Sequence, residues 1–255
     1  MSLAPSYELL LLLFARMTGV AFTAPPFNDA ALPNLVRVAL ALALTAAVFP
    51  AARGLPAVLS LPDLLVHALL ELGLGILIGV VAQGFLSAAL TMGGLLDASS
   101  GLSLASVLNP VLGETTSLYA GFAASFAIFV FAVGGGFDTF VTALAVAEQV
   151  APVGIVPRVG SAILPYVLDA TGGAFVVGVL LAFPVLVALV VVNVAIGLMA
   201  RVLPQMNLFV FSLAVGPLVS LVLTALVLGT FAQVLNRYAL SLLDALPALL
   251  HAVAQ

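Results

Sequence analysis

The sequence contains no cysteine, no tryptophan and no lysine, and its only histidines are His67 and His251. Without cysteine there is no disulfide, no thiolate nucleophile and no Cys-ligated metal. The two histidines stand far apart in sequence and read as helix-surface or interface residues rather than ligands. Charge is also scarce. Only 6% of the 255 residues are charged and 64% are hydrophobic, whereas soluble domains carry about 25% charged residues. A surface so poor in charge would not stay in water, so the chain reads as an integral membrane protein. The formal net charge of −4 is spread along the chain, and no basic run suggests nucleic acid or anionic lipid. No phosphate loop, nucleophile–base pairing or metal-ligand spacing is visible, which makes an enzyme the weakest class and leaves no cofactor expected. The opening residues lack a positive n-region, and Glu8 precedes the apolar run, so the N-terminus reads as retained.

Backbone groups at membrane depth must be satisfied within the segment or by protein, so the apolar blocks read as helices, six to eight in all. The first is Leu9–Thr23, ended by Pro25-Pro26, and the second is Leu35–Phe49, led by Arg37. Pro62-Asp63 opens a long block, Leu64–Met92, that holds Gly73, Gly75, Gly79 and Gly84. Gly75-x-x-x-Gly79 is a spacing that lets helices approach closely, and four glycines suggest tight packing. Leu118–Val133 is apolar, Gly134-Gly135-Gly136 breaks it, and Phe137–Val150 is a shorter amphipathic piece with Asp138 and Glu148. Val167–Val202 should be kinked or broken at Pro184. A turn Arg201–Phe209 follows, then Val210–Gln233 kinked at Gly216-Pro217, an interruption at Asn236-Arg237, and a last helix Leu240–Val253. The blocks on either side of Pro204, Gln205, Met206 and Asn207 read as a helical hairpin.

Between these blocks lies Gly93–Ser117, GGLLDASSGLSLASVLNPVLGETTS, which holds Asp97 and Glu114. Its glycines, serines and Asn109-Pro110 do not suit a lipid-facing segment. It reads as a hairpin or loop tucked into an assembly, lining or blocking a cavity, with an ordinary extramembrane loop as the alternative. Arg16 is a charge inside an apolar helix and should face protein, with Glu71 as a plausible partner and packing favoured over transport as its role. Asn193 and Gln83 read as interhelical hydrogen-bonders. Glu71 and Asp169 would be the acids of a secondary transporter, but each reads as close to a helix end.

Three stretches, in order, resemble the FliR family of flagellar export-gate membrane proteins, whose virulence type III secretion counterpart is SctT. FARMTGVAFTAPPF (Phe14–Phe27) with LPNLVRVALALALT (Leu32–Thr45) is similar to the family's opening pattern. Gly93–Ser117 is similar to its middle segment, and LAFPVLVALVVVNVAIGLMARVLPQMNLFVFSLAVG (Leu181–Gly216) is the most specific match. The resemblance covers nearly the whole chain. It implies an all-α integral membrane protein with a buried central loop, a FliP-like part over residues 1–165 and a FliQ-like hairpin and C-terminal helix over 166–255. It also implies a non-enzymatic subunit of the flagellar protein export gate in the bacterial inner membrane, at the basal body. Implied partners are FliP-like, FliQ-like and FlhB-like membrane proteins and unfolded export substrates, with no nucleic acid. The central loop, here 105–116, matches the family's pore plug, with Val107, Leu108, Asn109, Pro110 and Val111 at its tip. An apolar plug of that kind would keep the resting pore dewetted. The Pro204–Asn207 turn resembles the flagellar branch more than the injectisome branch. The competing readings are an injectisome subunit, a secondary transporter and a purely structural scaffold.

Overall fold

The computed structural model describes residues 4–29, 32–52, 60–102, 117–154, 163–202 and 208–254. Among these residues the regular structure is helical: α1 (Ala4–Thr23), α2 (Asn34–Val48) with a short 3-10 turn at Phe49–Ala51, α3 (Leu61–Ala82), α4 (Gly84–Ser100), α5 (Leu118–Val133), α6 (Gly136–Val150), α7 (Ile163–Val202) and α8 (Leu208–Ala254). Among the described residues, four helical stretches are long and apolar enough to cross a membrane: Asn34–Ala51, Leu61–Ala82, Pro165–Met199 and Phe211–His251. A fifth is added if α5 and α6 form one broken span. The chain is a multi-pass all-α membrane protein.

Helix ends follow local chemistry. Pro25-Pro26 lies in the turn that ends α1. Ser60 caps α3, its hydroxyl accepting from the Asp63 N–H, with Pro62 in the first turn. Gly135, at φ +77°, caps α6 in a conformation that favours glycine. Gly101, at φ +85°, follows the last residue of α4 in the same left-handed region.

Several elements differ from the sequence-based expectation. The block Leu64–Met92 is two helices separated at Gln83. Gly93–Ser100, expected to be irregular, is the last part of α4, which ends at Ser100. Pro184 does not break α7, which is continuous from Ile163 to Val202. Its missing N–H and ring clash disfavour helix, but a full break in apolar surroundings would strand more backbone groups. Asn236-Arg237 does not interrupt the chain, and α8 runs unbroken for 47 residues. Polarity alone does not break a helix when neither residue restricts the backbone. At 1.5 Å per residue α8 is ~70 Å long, more than twice a ~30 Å hydrocarbon core.

The chain forms two compact units. The first comprises Met1–Gly84, Phe131–Gly172 and Ala239–Gln255, and the second Phe85–Val130 and Gly173–Tyr238. In the first, α1 packs against α3 and α2, and α2 against α6. A Cβ on Gly75 would collide with the Arg16 carbonyl, one on Gly19 with the Leu72 carbonyl, and one on Gly79 with Thr23 and the Ala24 N–H. The small-residue spacing therefore sets the α1–α3 contact. Gly73 is exposed and a Cβ there meets nothing, and Gly84 begins α4, so only two of the four glycines serve that contact. Phe27, Phe131, Phe137 and Phe140 pack as an aromatic group at the α6 end of this unit, with Phe131 and Phe137 edge to face at 5.3 Å.

In the second unit, Gly93 of α4 and Gly178 of α7 are positions of close helix approach. A Cβ on Gly93 would meet the backbone of Ala120 in α5, and a Cβ on Gly178 of α7 would meet the Ala88 carbonyl at 2.7 Å. Gly216 of the expected Gly216-Pro217 kink has a packing role. Gly216 lies in an unbroken α8, and a Cβ there would strike the Ser100 carbonyl at the end of α4.

Candidate functional site

Two polar arrangements stand out, one in each unit. The first grows from the apolar stripe of α1. Leu9, Leu12, Leu13, Met17, Val20 and Ala21 are buried, and the helical period places Arg16 in the same stripe. The side chain cannot reach water and is 1% exposed. Its Nε–H donates to Glu71 Oε2 at 2.6 Å. Its Nη1 donates to Glu148 Oε1 at 2.6 Å and to the Ala151 carbonyl at 2.9 Å. Glu71 Oε1 accepts the Gly154 N–H at 2.8 Å, and Gly154 has φ +89°. Glu71 and Glu148 are 1% and 0% exposed. One guanidinium thus ties α1, α3, α6 and the turn after α6 together. Glu71 stands near the middle of α3, not at a helix end as its sequence context suggested.

Sequence reasoning placed Arg16 beside Glu71 but missed Glu148 as a third member. A signal was present. Phe140, Leu144 and Glu148 follow one another at four-residue steps, and Ala143 and Ala147 lie on the same face; all five are buried. Glu148 was therefore on the apolar face of α6.

The second arrangement flanks the central segment. The α4 side is anchored by Asp97, 3% exposed, whose Oδ2 accepts the Tyr119 N–H of α5 at 3.2 Å. Ser117 Oγ accepts the Ala120 N–H at 3.1 Å. A carboxylate and a serine oxygen at the first turn of α5 satisfy donors that the helix leaves open and suit its dipole. Tyr119 in turn donates its hydroxyl to Ser220 Oγ at 2.8 Å, and Ser220 donates to the Pro217 carbonyl at 2.9 Å. The end of α4, which closes at Ser100, and the start of α5 at Ser117–Tyr119 are therefore fixed to one another and to α8. Leu102, Leu118, Tyr119, Phe122, Leu221 and Thr224 are among the residues lining a cavity of about 380 Å³ at this place. Val107, Leu108, Asn109, Pro110 and Val111, with the rest of 105–116 and Glu114, lie outside the described residues, as do Pro204, Gln205, Met206 and Asn207.

The remaining candidates are dispersed. Arg201 is exposed near the end of α7. Asp169 is exposed near the start of α7. Asn193 is exposed on α7 among the exposed Val190, Val191 and Val194. Gln83 is half-buried at the α3–α4 break. His67 Nδ1 lies 2.8 Å from the Asp63 carbonyl of its own helix, and His251 is exposed.

Long apolar helices with close glycine contacts, a buried ion cluster in one unit and a hydrogen-bonded α4–α5–α8 junction in the other define a multi-pass membrane protein. The family described as bacterial export proteins, family 1, matches residues 7–242, and the chain belongs to that family, the FliR family. It is 28% identical to the flagellar biosynthetic protein FliR of Pectobacterium carotovorum over 229 residues, 89% of this chain and 85% of the relative. It is 24% identical to FliR of Bacillus subtilis over 94% of both chains. It is also 29% identical to the surface presentation of antigens protein SpaR of Salmonella typhimurium over 79% of this chain and 76% of the relative.

Proposed function

We propose that this chain is a non-enzymatic core subunit of a type III protein export apparatus, specifically of the flagellar export gate in the bacterial inner membrane at the basal body. In this reading it joins FliP-like and FliQ-like subunits around the export pore, with an FlhB-like protein associated. Residues 1–165 form its FliP-like part and 166–255 its FliQ-like hairpin and C-terminal helix. The observation that carries the reading is the family match over almost the whole chain, together with relatives named for flagellar biosynthesis at 85–94% coverage of this chain.

The exposed surface of α7 supports an assembly. Asn193 lies within the stretch apolar enough to span the membrane, yet it is exposed between exposed valines. An unpaired amide in hydrocarbon is costly, so a neighbouring protein helix is the favourable cover for it. A secondary transporter is disfavoured. Glu71 has both oxygens committed, to Arg16 and to Gly154, and Asp169 is exposed near a helix end. The similarity to SpaR keeps an injectisome export subunit as the second reading.

The central segment supplies the plug in this account, with Val107–Val111 at its tip. Asp97, Ser117 and Tyr119 act as the fixed frame from which it projects. An apolar tip blocks small ions by dewetting a narrow pore, and it swings aside for an unfolded substrate. Energy comes from partner proteins and the proton-motive force. One complementation experiment tests both levels. Cells lacking the chain should export no flagellar filament protein, and the wild-type gene should restore export. A copy lacking Val107–Val111 should still assemble but make the membrane leaky to small ions. Export that persists without the chain would remove the gate assignment, and unchanged leak after the deletion would remove the plug assignment alone.

A further inference from the structure

The Arg16 cluster has a charge imbalance. One guanidinium faces two glutamates, and all three side chains are buried. With both acids ionised, the cluster would carry a net negative charge in a water-poor interior, where an uncompensated charge is neutralised rather than tolerated. Among the described residues, the surrounding elements bring no second arginine to the cluster. On α1, Glu8 is also buried, and Tyr7 donates to it. It stands eight residues from Arg16, ~12 Å along the helix. On α3, Asp63 and His67 sit at the far end of the helix, and on α6 Asp138 is in the first turn. The last part of α8 in this unit brings Asp244 and His251. Among the described residues, Arg37 lies against the Asp29 carbonyl and the Phe22 ring, and Arg201 and Arg237 are exposed. Arg53 and Arg158 lie outside the described residues.

We propose that this cluster is a binding site for one proton, carried on Oε2 of Glu148. The two acids are not equivalent. Glu71 accepts from Arg16 Nε and from the Gly154 N–H, and two donors stabilise its ionised form. Glu148 accepts only through Oε1, and its Oε2 has no hydrogen-bond partner. The proton belongs on the oxygen whose charge is least compensated. A metal cation fits poorly. Only one carboxylate oxygen is free, and the unpartnered Arg16 Nη2 donor adds a positive charge beside it, whereas hard cations take about six oxygens. Loss of the proton would draw Arg16 Nη1 from the Ala151 carbonyl toward Glu148, so proton occupancy is linked to the turn that follows α6. The proposal is independent of the export role.

The test is infrared spectroscopy of the full chain, purified with any subunits that accompany it and carrying isotope-labelled glutamate. At neutral pH the wild type should show the isotope-shifted C=O stretch of a neutral carboxylic acid. Glu148→Gln should abolish it. Glu71→Gln should abolish it too, because the single remaining carboxylate then balances Arg16 without a proton. Glu8→Gln should leave it unchanged. The signal should titrate away as one proton per chain on raising pH and be insensitive to sodium at fixed pH. A wild type without the signal overturns the proposal whether or not the variants fold. So does a signal that survives both Glu148→Gln and Glu71→Gln, disappears in Glu8→Gln, or is displaced by sodium.

Discussion

Replacing Arg16 by methionine is expected to cost about 3–5 kcal/mol of stability, because it removes one partner of a buried ionic network and strands the others. The loss should appear as a sharp drop in the amount of chain in the membrane and a lower thermal midpoint in detergent. The size of the effect follows from position. Arg16 donates to three acceptors, Glu71, Glu148 and the Ala151 carbonyl, so one substitution loosens α1, α3, α6 and the turn together. Buried networks of this type often stabilise no more than apolar residues of the same volume would. The triple variant Arg16→Met, Glu71→Leu, Glu148→Leu should therefore recover much of what the single variant loses. A methionine variant as abundant and as stable as the wild type would show that the network does not hold this unit together.

The second large effect is at Gly75. Leucine there should separate α1 from α3 and pull Arg16 from Glu71, because its Cβ would occupy the place of the Arg16 backbone carbonyl. Overpacking typically costs about 1–3 kcal/mol, and a backbone obstacle cannot rotate aside, so the upper part of that range is expected. Gly73→Leu is the matched control. It lies two residues away, is exposed, and its Cβ would meet nothing, so a change within about ±0.5 kcal/mol is expected. Thermal unfolding of the two variants side by side checks the pair. Equal effects would mean that the α1–α3 glycine contact is not selective.

How far the sequence disclosed this arrangement depends on the kind of force involved. The membrane class was legible because scarcity of charge acts over the whole surface. The break at Gly134–Gly136 was legible because three successive glycines remove side-chain contacts and permit the positive φ seen at Gly135. Arg16 beside Glu71 was legible because an intramembrane charge requires a partner. Glu148 was not found, because its pairing depends on which face of α6 meets α1, and that is decided by tertiary packing. Helix continuity was the weakest reading. A break at Pro184 and an interruption at Asn236-Arg237 look plausible in one dimension, yet α7 and α8 run on through them. In three dimensions, the surroundings of α7 and α8 favour keeping the backbone hydrogen-bonded. The helical state of Gly93–Ser100 was hidden for a related reason. Gly93 reads as a breaker, but it is the position where α5 comes against α4. The flanking contacts of Asp97 with Tyr119, and of Tyr119 with Ser220, span 22 and 101 positions in sequence, and no local pattern encodes them.

The central claim is that this chain works as one subunit among unlike membrane proteins. It is tested most directly by purifying the tagged chain in mild detergent from cells that also express its FliP-like and FliQ-like candidates, followed by native mass measurement. The account predicts a stable hetero-oligomer containing those small membrane proteins. A well-behaved monomer or homodimer, free of both, would contradict it.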